Sequence, residues 1–127
     1  MIEINKLNGC IKILEFWIEP YDNIEKIKKI FKKSDFFDNK YIYVDNSNEI
    51  EYIFSLNNEN NIYLVEIEPY YLSWNDIGNR KDWGILKIKK IFLENNFCIK
   101  NEFCWGKVSY QYDNKNLIPS ICIEYKK

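Results

Sequence analysis

Hydrophobic and polar residues alternate along several short stretches of the chain, a pattern that predicts β-strands. Residues 10–19 are rich in β-branched and aromatic residues and are followed by Pro20. Residues 61–68 have the same character and are followed by Pro69. Because proline cannot donate a hydrogen bond to a continuing ladder, each stretch is expected to be one strand that ends there.

A helical period replaces the alternation after each of these strands. Ile24, Ile27, Ile30 and Phe31 recur at the spacing of one helical face, which predicts a helix over about 22–33. Asp22 stands where an N-cap is expected, with Glu25 three residues later as its reciprocal partner. A second helix is predicted around residues 82–95.

Two hairpins are predicted after the two helices. Residues 40–44 and 49–56 flank an Asp/Asn/Ser turn, and strands are also expected near 103–112 and 117–125. Residues 48–56 fit a helical face equally well, so strand and helix both remain open there. Residues 2–7 are a candidate edge strand.

Three sequence matches occur in the same order in the two halves of the chain. Ile-Glu-Pro-Tyr stands at 18–21 and 67–70, Lys-Ile-Lys-Lys-Ile-Phe at 26–31 and 87–92, and Asp-Asn-x-Asn at 45–48 and 113–116. The matches indicate an internal duplication with halves of about 10–56 and 61–125. The expected fold class is α+β. Residues 1–127 form a single domain of duplicated strand-helix-strand-strand units, with an antiparallel-rich sheet and two helices on one face.

The second half carries an insertion, residues 71–86, between its Ile-Glu-Pro-Tyr and its helix. Long surface insertions cost little stability and often carry function. Trp and Arg are favoured binding anchors, and this segment holds two of the four Trp and the only Arg. We therefore interpret it as the leading candidate for partner binding, through Trp74, Asp76, Arg80, Asp82 and Trp83.

A second candidate surface combines acidic residues with one Trp. Strand alternation groups Glu15, Trp17 and Glu19 on one face, and their counterparts in the second half are Glu66 and Glu68. Such a face fits three descriptions: an ordinary solvated side of a strand, a carboxylate pair for acid/base chemistry or a hard cation, and a shallow aromatic binding surface.

Composition narrows the function. Hydrophobic residues make up 46% and charged residues 29% of the chain, which excludes intrinsic disorder. The net charge of -1 gives no overall electrostatic attraction for nucleic acid, although lysines line both predicted helices. The N-terminus does not read as a signal peptide and no apolar run is long enough for a membrane span, so a cytoplasmic protein is expected. The excess of Ile, Lys and Asn indicates A+T-rich coding DNA, typical of a low-GC bacterium or its phage.

Catalytic groups are scarce. The chain has no His, which removes the usual general base and the commonest metal ligand, and it has no phosphate-binding glycine loop. The four cysteines, Cys10, Cys98, Cys104 and Cys122, form no C-x-x-C pair and are expected to be free thiols without zinc. We expect neither cofactor nor metal and no catalytic residue, although a carboxylate-dependent hydrolase is not excluded.

Two resemblances follow from these features. The doubled strand-helix-strand-strand plan resembles the tandem SHS2 modules of GyrI-like domains, which implies a small-ligand-binding role in an aromatic and acidic cleft. The small, slightly acidic, aromatic-rich chain without catalytic groups is similar to bacterial toxin-immunity proteins and phage inhibitors. That resemblance implies a non-enzymatic protein that binds and neutralises a toxin or defence enzyme, and it is our leading hypothesis. The alternative is the GyrI-like ligand-binding domain.

Overall fold

The computed structural model describes residues 2–32, 34–97 and 101–126. These contain three helices and ten strands. In chain order they are β1 (Glu3–Ile4), β2 (Ile11–Ile13), β3 (Phe16–Ile18), α1 (Ile24–Ile30), β4 (Ser34–Phe37), β5 (Lys40–Asp45), β6 (Ile50–Leu56), β7 (Ile62–Pro69), α2 (Trp74–Asn79), α3 (Lys81–Glu94), β8 (Asn101–Phe103), β9 (Gly106–Asp113) and β10 (Ile118–Tyr125).

The strands form two antiparallel sheets. The large sheet has the order β4-β5-β6-β7-β10-β9-β8, and the small sheet has the order β1-β2-β3. Every strand pair described in both sheets is antiparallel. The α+β class and the antiparallel-rich sheet predicted from the sequence are therefore confirmed.

One face of the large sheet is covered by the helices. Val65 of β7 lies between Phe54 of β6 and Ile123 of β10. These three fully buried side chains therefore share that face. Phe31, directly after α1, stacks on Tyr43 at 4.3 Å between ring centroids. Phe92 of α3 meets Tyr110 of β9 at 6.3 Å. Both helices thus pack on one face, as predicted, and we call it the covered face.

The small sheet closes the core over the same face. Ile11, Ile13 and Ile18 are completely buried. The loop between β1 and β2 is hydrogen-bonded to the C-terminal part of the chain. The Tyr125 hydroxyl donates to the Gly9 carbonyl at 2.9 Å, and the Trp105 indole N–H donates to the Lys6 carbonyl at 2.7 Å. The sheet is therefore an integral layer of the domain.

The prediction of one strand over residues 10–19 is wrong. The segment is a hairpin in which Ile11 pairs with Ile18, and the chain reverses at Leu14 and Glu15. Leu14 has a φ of 58°, an uncommon value for a residue with a branched side chain. The reversal places Ile11, Ile13 and Ile18 together in the core, and this burial outweighs the preference for a straight strand.

The predicted cap of the first helix is also corrected. α1 begins at Ile24, and its N-cap is Asn23, whose side chain accepts the Glu25 N–H at 3.0 Å. Asp22 instead accepts the Glu19 N–H at 2.7 Å and forms an ion pair with Lys26 at 2.8 Å. The carboxylate therefore stabilises the turn before the helix.

The predicted hairpins are confirmed with changes in detail. Residues 50–56 are strand, so the helical alternative for 48–56 is wrong. Residues 103–112 divide into the end of β8 and most of β9, with a turn at Cys104 and Trp105. β4 was not predicted. It pairs with β5 across a turn in which both Asp38 and Asn39 have positive φ. The N-terminal strand is limited to two residues, β1.

Two of the sequence matches between the halves occupy similar local structures. The matched Lys-Ile-Lys-Lys-Ile-Phe segments lie in α1 and its C-cap and in α3. In the first Asp-Asn-x-Asn turn the Asn48 amide donates to the Asp45 carboxylate at 2.7 Å, and in the second the Asn116 amide donates to the Asp113 carboxylate at 2.8 Å. Superposition of the halves, and the division of the domain into them, stays a prediction.

Candidate functional site

The second face of the large sheet points away from the helices. Its side chains come from the positions that alternate with the covered face, and most of them are half-buried, since they form a solvent-facing layer on one side of an antiparallel sheet. We call it the open face. Its central residues are Ile42, Val44, Glu51, Ile53, Ser55, Leu64, Glu66, Glu68, Ser120, Cys122 and Glu124.

Three carboxylates stand close together at the centre of the open face. Glu51 of β6 is directly opposite Glu68 of β7, and Glu66 precedes Glu68 by two residues on the same face. Directly opposite Cβ atoms lie about 5 Å apart, and residues i and i+2 lie about 6.6 Å apart along a strand. Like charges in this arrangement destabilise a sheet. We call Glu51, Glu66 and Glu68 the carboxylate cluster.

The pKa values of the cluster reflect burial and crowding. Burial, reinforced by the charges of Glu66 and Glu51, raises the pKa of Glu68 to about 8. Burial also raises the pKa of Glu51. In the described part of the chain, no cation lies within 4.0 Å of the three carboxylates and no donor hydrogen-bonds to them. The neighbouring Glu124 differs, because Lys107 pairs with it at 3.7 Å.

Small side chains form the floor beside the cluster. Ser55, Ser120 and Cys122 are each less than a tenth exposed. Ser120 Oγ and Cys122 Sγ are 3.6 Å apart and share a hydrogen bond, whereas Ser55 Oγ is buried without any partner among the described residues. Burial raises the pKa of the Cys122 thiol, and Glu66, Glu68 and Glu124 raise it further. Cys122 is therefore surrounded by the acidic side chains.

The acidic surface predicted from the sequence is divided by the structure. Glu66 and Glu68 lie on the open face, whereas Glu15, Trp17 and Glu19 belong to the β2–β3 hairpin and the residue after it, in the small sheet. The separation follows from the hairpin, which removes residues 10–19 from the position predicted for a strand of the large sheet. Trp17 is 42% exposed and lines a shallow recess with Glu19.

Residues 71–86 form mainly helix, with α2 beginning at Trp74 and α3 beginning at Lys81. Arg80, between the helices, binds Glu49 at 2.6 Å, lies 4.0 Å from Asp76, and stacks over Trp83 with 3.7 Å from its guanidinium carbon to the ring. Asp76, Arg80 and Trp83, three of the residues predicted to bind a partner, therefore lie close together. The contacts that Arg80 makes here are all within this protein. Asp82 is exposed in the first turn of α3.

Glu49 is a functional candidate that the sequence did not reveal. It lies in the β5–β6 turn, and its pairing with Arg80 depends on a contact across 31 residues that no local pattern shows. Glu49 also accepts the Tyr70 N–H through its carbonyl, at the end of β7. The α2–α3 junction is thereby fixed at the end of the sheet nearest Glu51 and Glu68.

A cleft of about 300 Å³ lies on the covered side, between α3 and the β5–β6 turn. Leu14, Asp45, Tyr52 and Lys87 are among its lining residues. The GyrI-like alternative predicts a closed pocket between the two halves, lined by aromatic residues and at least one of Glu15, Glu19, Glu66 and Glu68. None of these four acids lines this cleft, whereas Glu19 lines the shallow recess beside Trp17.

Metal binding, the thiols and membrane insertion are the remaining features that the sequence raised. Within residues 2–32, 34–97 and 101–126, no three Cys, Asp or Glu side chains are grouped closely enough to hold a metal ion. Cys10, Cys104 and Cys122 have free thiols, and Cys98 lies outside the described residues. No described helix has both the length and the apolar character needed to cross a bilayer.

Comparison with known proteins gives one informative similarity. No protein-family model matches the sequence, and no curated protein matches it. The fold is similar to a chain of a solved structure titled "Rhs1-CT in complex with cognate immunity protein RhsI1", with a TM-score of 0.63 and 12% sequence identity. The similarity covers 99% of this chain and 88% of that chain. At this identity the similarity shows a shared fold alone.

Proposed function

We propose that this protein is a non-enzymatic inhibitor that binds and neutralises a toxin or defence enzyme in the cytoplasm of a bacterium. The observation that carries the proposal is the end-to-end similarity in fold to a chain from a complex between Rhs1-CT and its cognate immunity protein. A fold alone does not define a function, so the surface chemistry must agree with it.

The surface chemistry supports binding over catalysis. The chain has no histidine, and the carboxylate cluster has no partner donor within the described residues that would orient it as an acid/base pair. The cluster instead presents negative charge on a broad, open sheet face. Charge complementarity of this kind accelerates association between proteins and selects the partner.

Segment 71–86 is the second part of the proposed contact. The ion pair between Arg80 and Glu49 and the stacking of Arg80 on Trp83 hold α2 and α3 at the end of the sheet. Trp74, Asp76 and Asp82 belong to the elements that this junction positions. The junction lies at the end of the sheet nearest Glu51 and Glu68, so a partner that covers these two residues would contact α2 only if it extended around that end.

A growth assay with the product of the adjacent gene tests this role. That product, expressed alone in a bacterial host, should stop growth, and co-expression of this protein should restore it. The two proteins should also elute together in size-exclusion chromatography. A folded, unrelated α+β protein expressed at the same level serves as the control. An adjacent gene product that does not affect growth, or that remains toxic in the presence of this protein, would contradict the proposed function.

A second assay examines residues 71–86. The triple change Trp74→Ala, Arg80→Ala and Trp83→Ala should weaken partner binding by roughly 30-fold or more, since Trp and Arg dominate the energetics of interfaces. Circular dichroism must show a folded protein, because Arg80 and Trp83 also make internal contacts. Unchanged affinity in a folded variant would remove this segment from the interface.

A further inference from the structure

The carboxylate cluster is unlike the rest of the acidic surface. Exposed ion pairs neutralise acids at several other sites, such as Glu124 with Lys107 and Glu25 with Lys28. Glu51, Glu66 and Glu68 are half-buried and have neither an ion pair nor a hydrogen bond in the described residues. Charged groups in partly buried positions are normally paired. The free protein therefore leaves three carboxyl groups without a cationic partner, and the raised pKa of Glu68 means that this group keeps its proton at neutral pH.

The position of Ser55 provides an independent sign of a missing partner. Its side chain is on the open face, next to the cross-strand pair of Ile53 and Glu66, and is only 3% exposed. Its hydroxyl has no hydrogen-bond partner, although nearly all buried polar groups have one. Ser55 lies diagonally across from Glu66, because Ile53 is opposite Glu66 on β7. The unused hydroxyl and the unpaired carboxylates thus occupy one continuous area.

We propose that the open face is the docking surface for the toxin, and that Glu51, Glu66 and Glu68 receive an arginine-bearing segment of it. This inference rests on the proposed function and names the surface and the chemistry of the partner. Arginine fits better than lysine because its planar guanidinium can bind two carboxylates at once through fixed N–H donors.

The surroundings of the cluster favour an extended contact over a single ion. Ile42, Val44 and Ile53 form a half-buried apolar strip on the neighbouring strands, which can pack against the aliphatic part of an arginine side chain. Lys40 of β5 stands opposite Ser55 and would repel a cationic segment that was displaced toward β5. Lys107 of β9 has no such effect, because it lies between Glu124 and Glu102. Lys40 therefore disfavours a cationic segment on β5 and favours one on β6 and β7, where the carboxylate cluster lies.

A pair of charge-matched variants tests the surface. The test variant is Glu51→Gln, Glu66→Gln and Glu68→Gln, and the control variant is Glu3→Gln, Glu25→Gln and Glu59→Gln, which removes three exposed carboxylates elsewhere. Calorimetric titration with the adjacent gene product should give a dissociation constant roughly 100-fold higher for the test variant and within about 2-fold of wild type for the control. Equal affinities for wild type and test variant would overturn the proposed surface, while the proposed function would stand.

A second probe makes the result independent of the toxin. A hexa-arginine peptide, titrated into the labelled wild-type protein, should shift the side-chain carboxyl NMR signals of Glu51, Glu66 and Glu68 more than those of the three control acids. Uniform shifts over all six signals, or no shifts, would overturn the inference. If the wild-type protein fails to bind the adjacent gene product and yet shows the expected peptide shifts, the proposed function fails and the cationic chemistry of the open face is retained.

Discussion

The two faces of the large sheet differ in how their side chains are used. On the covered face, Phe54 and Ile67 are fully buried against the helices and the small sheet, and aromatic rings such as Phe31 and Tyr43 stack at close distance. On the open face, at positions of alternating orientation on the same two strands, Glu51 and Glu68 oppose each other without a counter-ion in the described residues. The same strands therefore carry a packed core on one side and carboxyl groups without a cationic partner on the other.

This difference separates stability from binding. The covered face supplies apolar burial, which is the dominant favourable contribution to folding. The open face keeps like charges together at a cost to stability. Proteins commonly retain such local costs at sites that a partner completes. Substitutions on the two faces should therefore have effects of different size and sometimes of opposite sign.

The largest effect is expected from neighbouring residues on opposite faces. Phe54→Ala should lower the free energy of unfolding by about 3 to 5 kcal/mol, because it removes a fully buried ring. Ile53→Ala, on the open face, should lower it by about 1 kcal/mol, since that side chain is only half-buried. Urea denaturation measures both values. Equal losses for the two variants would contradict the distinction between the faces.

A smaller effect should mark where α3 approaches the covered face. A Cβ atom at Gly84 would overlap with the Tyr71 hydroxyl, so Gly84→Ala should destabilise the protein by about 1 to 3 kcal/mol. Gly78 in α2 has open space around it, and Gly78→Ala should leave stability unchanged or raise it by up to about 1 kcal/mol.

The double variant Gly84→Ala and Tyr71→Phe isolates the cause. The Tyr71 hydroxyl is buried without a partner in the described residues, so its removal loses no hydrogen bond. Thermal denaturation should show partial recovery in the double variant relative to Gly84→Ala. No recovery would mean that the hydroxyl is not the obstacle.

The effect of a substitution at Glu68 should be stabilising and should depend on pH. The pKa of Glu68 is raised to about 8 from an ordinary value of 4.5, so the folded state holds this proton more tightly than the unfolded state does. Its contribution to stability is fully present below about pH 4.5 and is lost as the pH rises through about 8. Gln imitates the protonated acid and keeps that contribution.

Glu68→Gln should therefore match wild type at pH 4 and exceed it by about 1 to 2 kcal/mol at pH 9, less than the full pKa shift implies because water reaches the open face. Glu66, Glu51, Lys40 and Asp113 contribute to the same titration. Chemical denaturation at the two pH values measures the difference, and Glu15→Gln is the exposed control. A Gln variant less stable than wild type at pH 9 would show that the folded protein favours the ionised form.

The sequence predicted the elements whose signals are local. The 3.6-residue period around Ile88 and Phe92 indicated α3, and β-branched and aromatic residues around an Asp-Asn-x-Asn turn indicated β5 and β6. The strand β4 was missed, although Asp38 and Asn39 are residue types that favour a tight hairpin turn and both have positive φ. That signal was present in the sequence.

Other features depend on tertiary contacts that local patterns do not show. The β2–β3 turn uses Leu14 and Glu15, which are not typical turn residues, so alternation alone suggested a continuous strand. The sequence correctly grouped Glu66 with Glu68 on one face. It could not reveal that Glu51 opposes Glu68, because this contact requires the register between two strands. The candidate site was therefore only partly predictable.

The strand order has a consequence for protein synthesis. β10 pairs with both β7 and β9, so the last strand of the large sheet to be translated is one of its internal strands. A ribosome-bound chain can form the hairpins of β4 to β7, but it cannot complete the sheet before residue 125 has emerged. Such non-local closure is typically a slow step in folding. Part of the floor of the open face, including Ser120 and Cys122, thus appears only with this step, and a nascent chain would not yet present the complete surface.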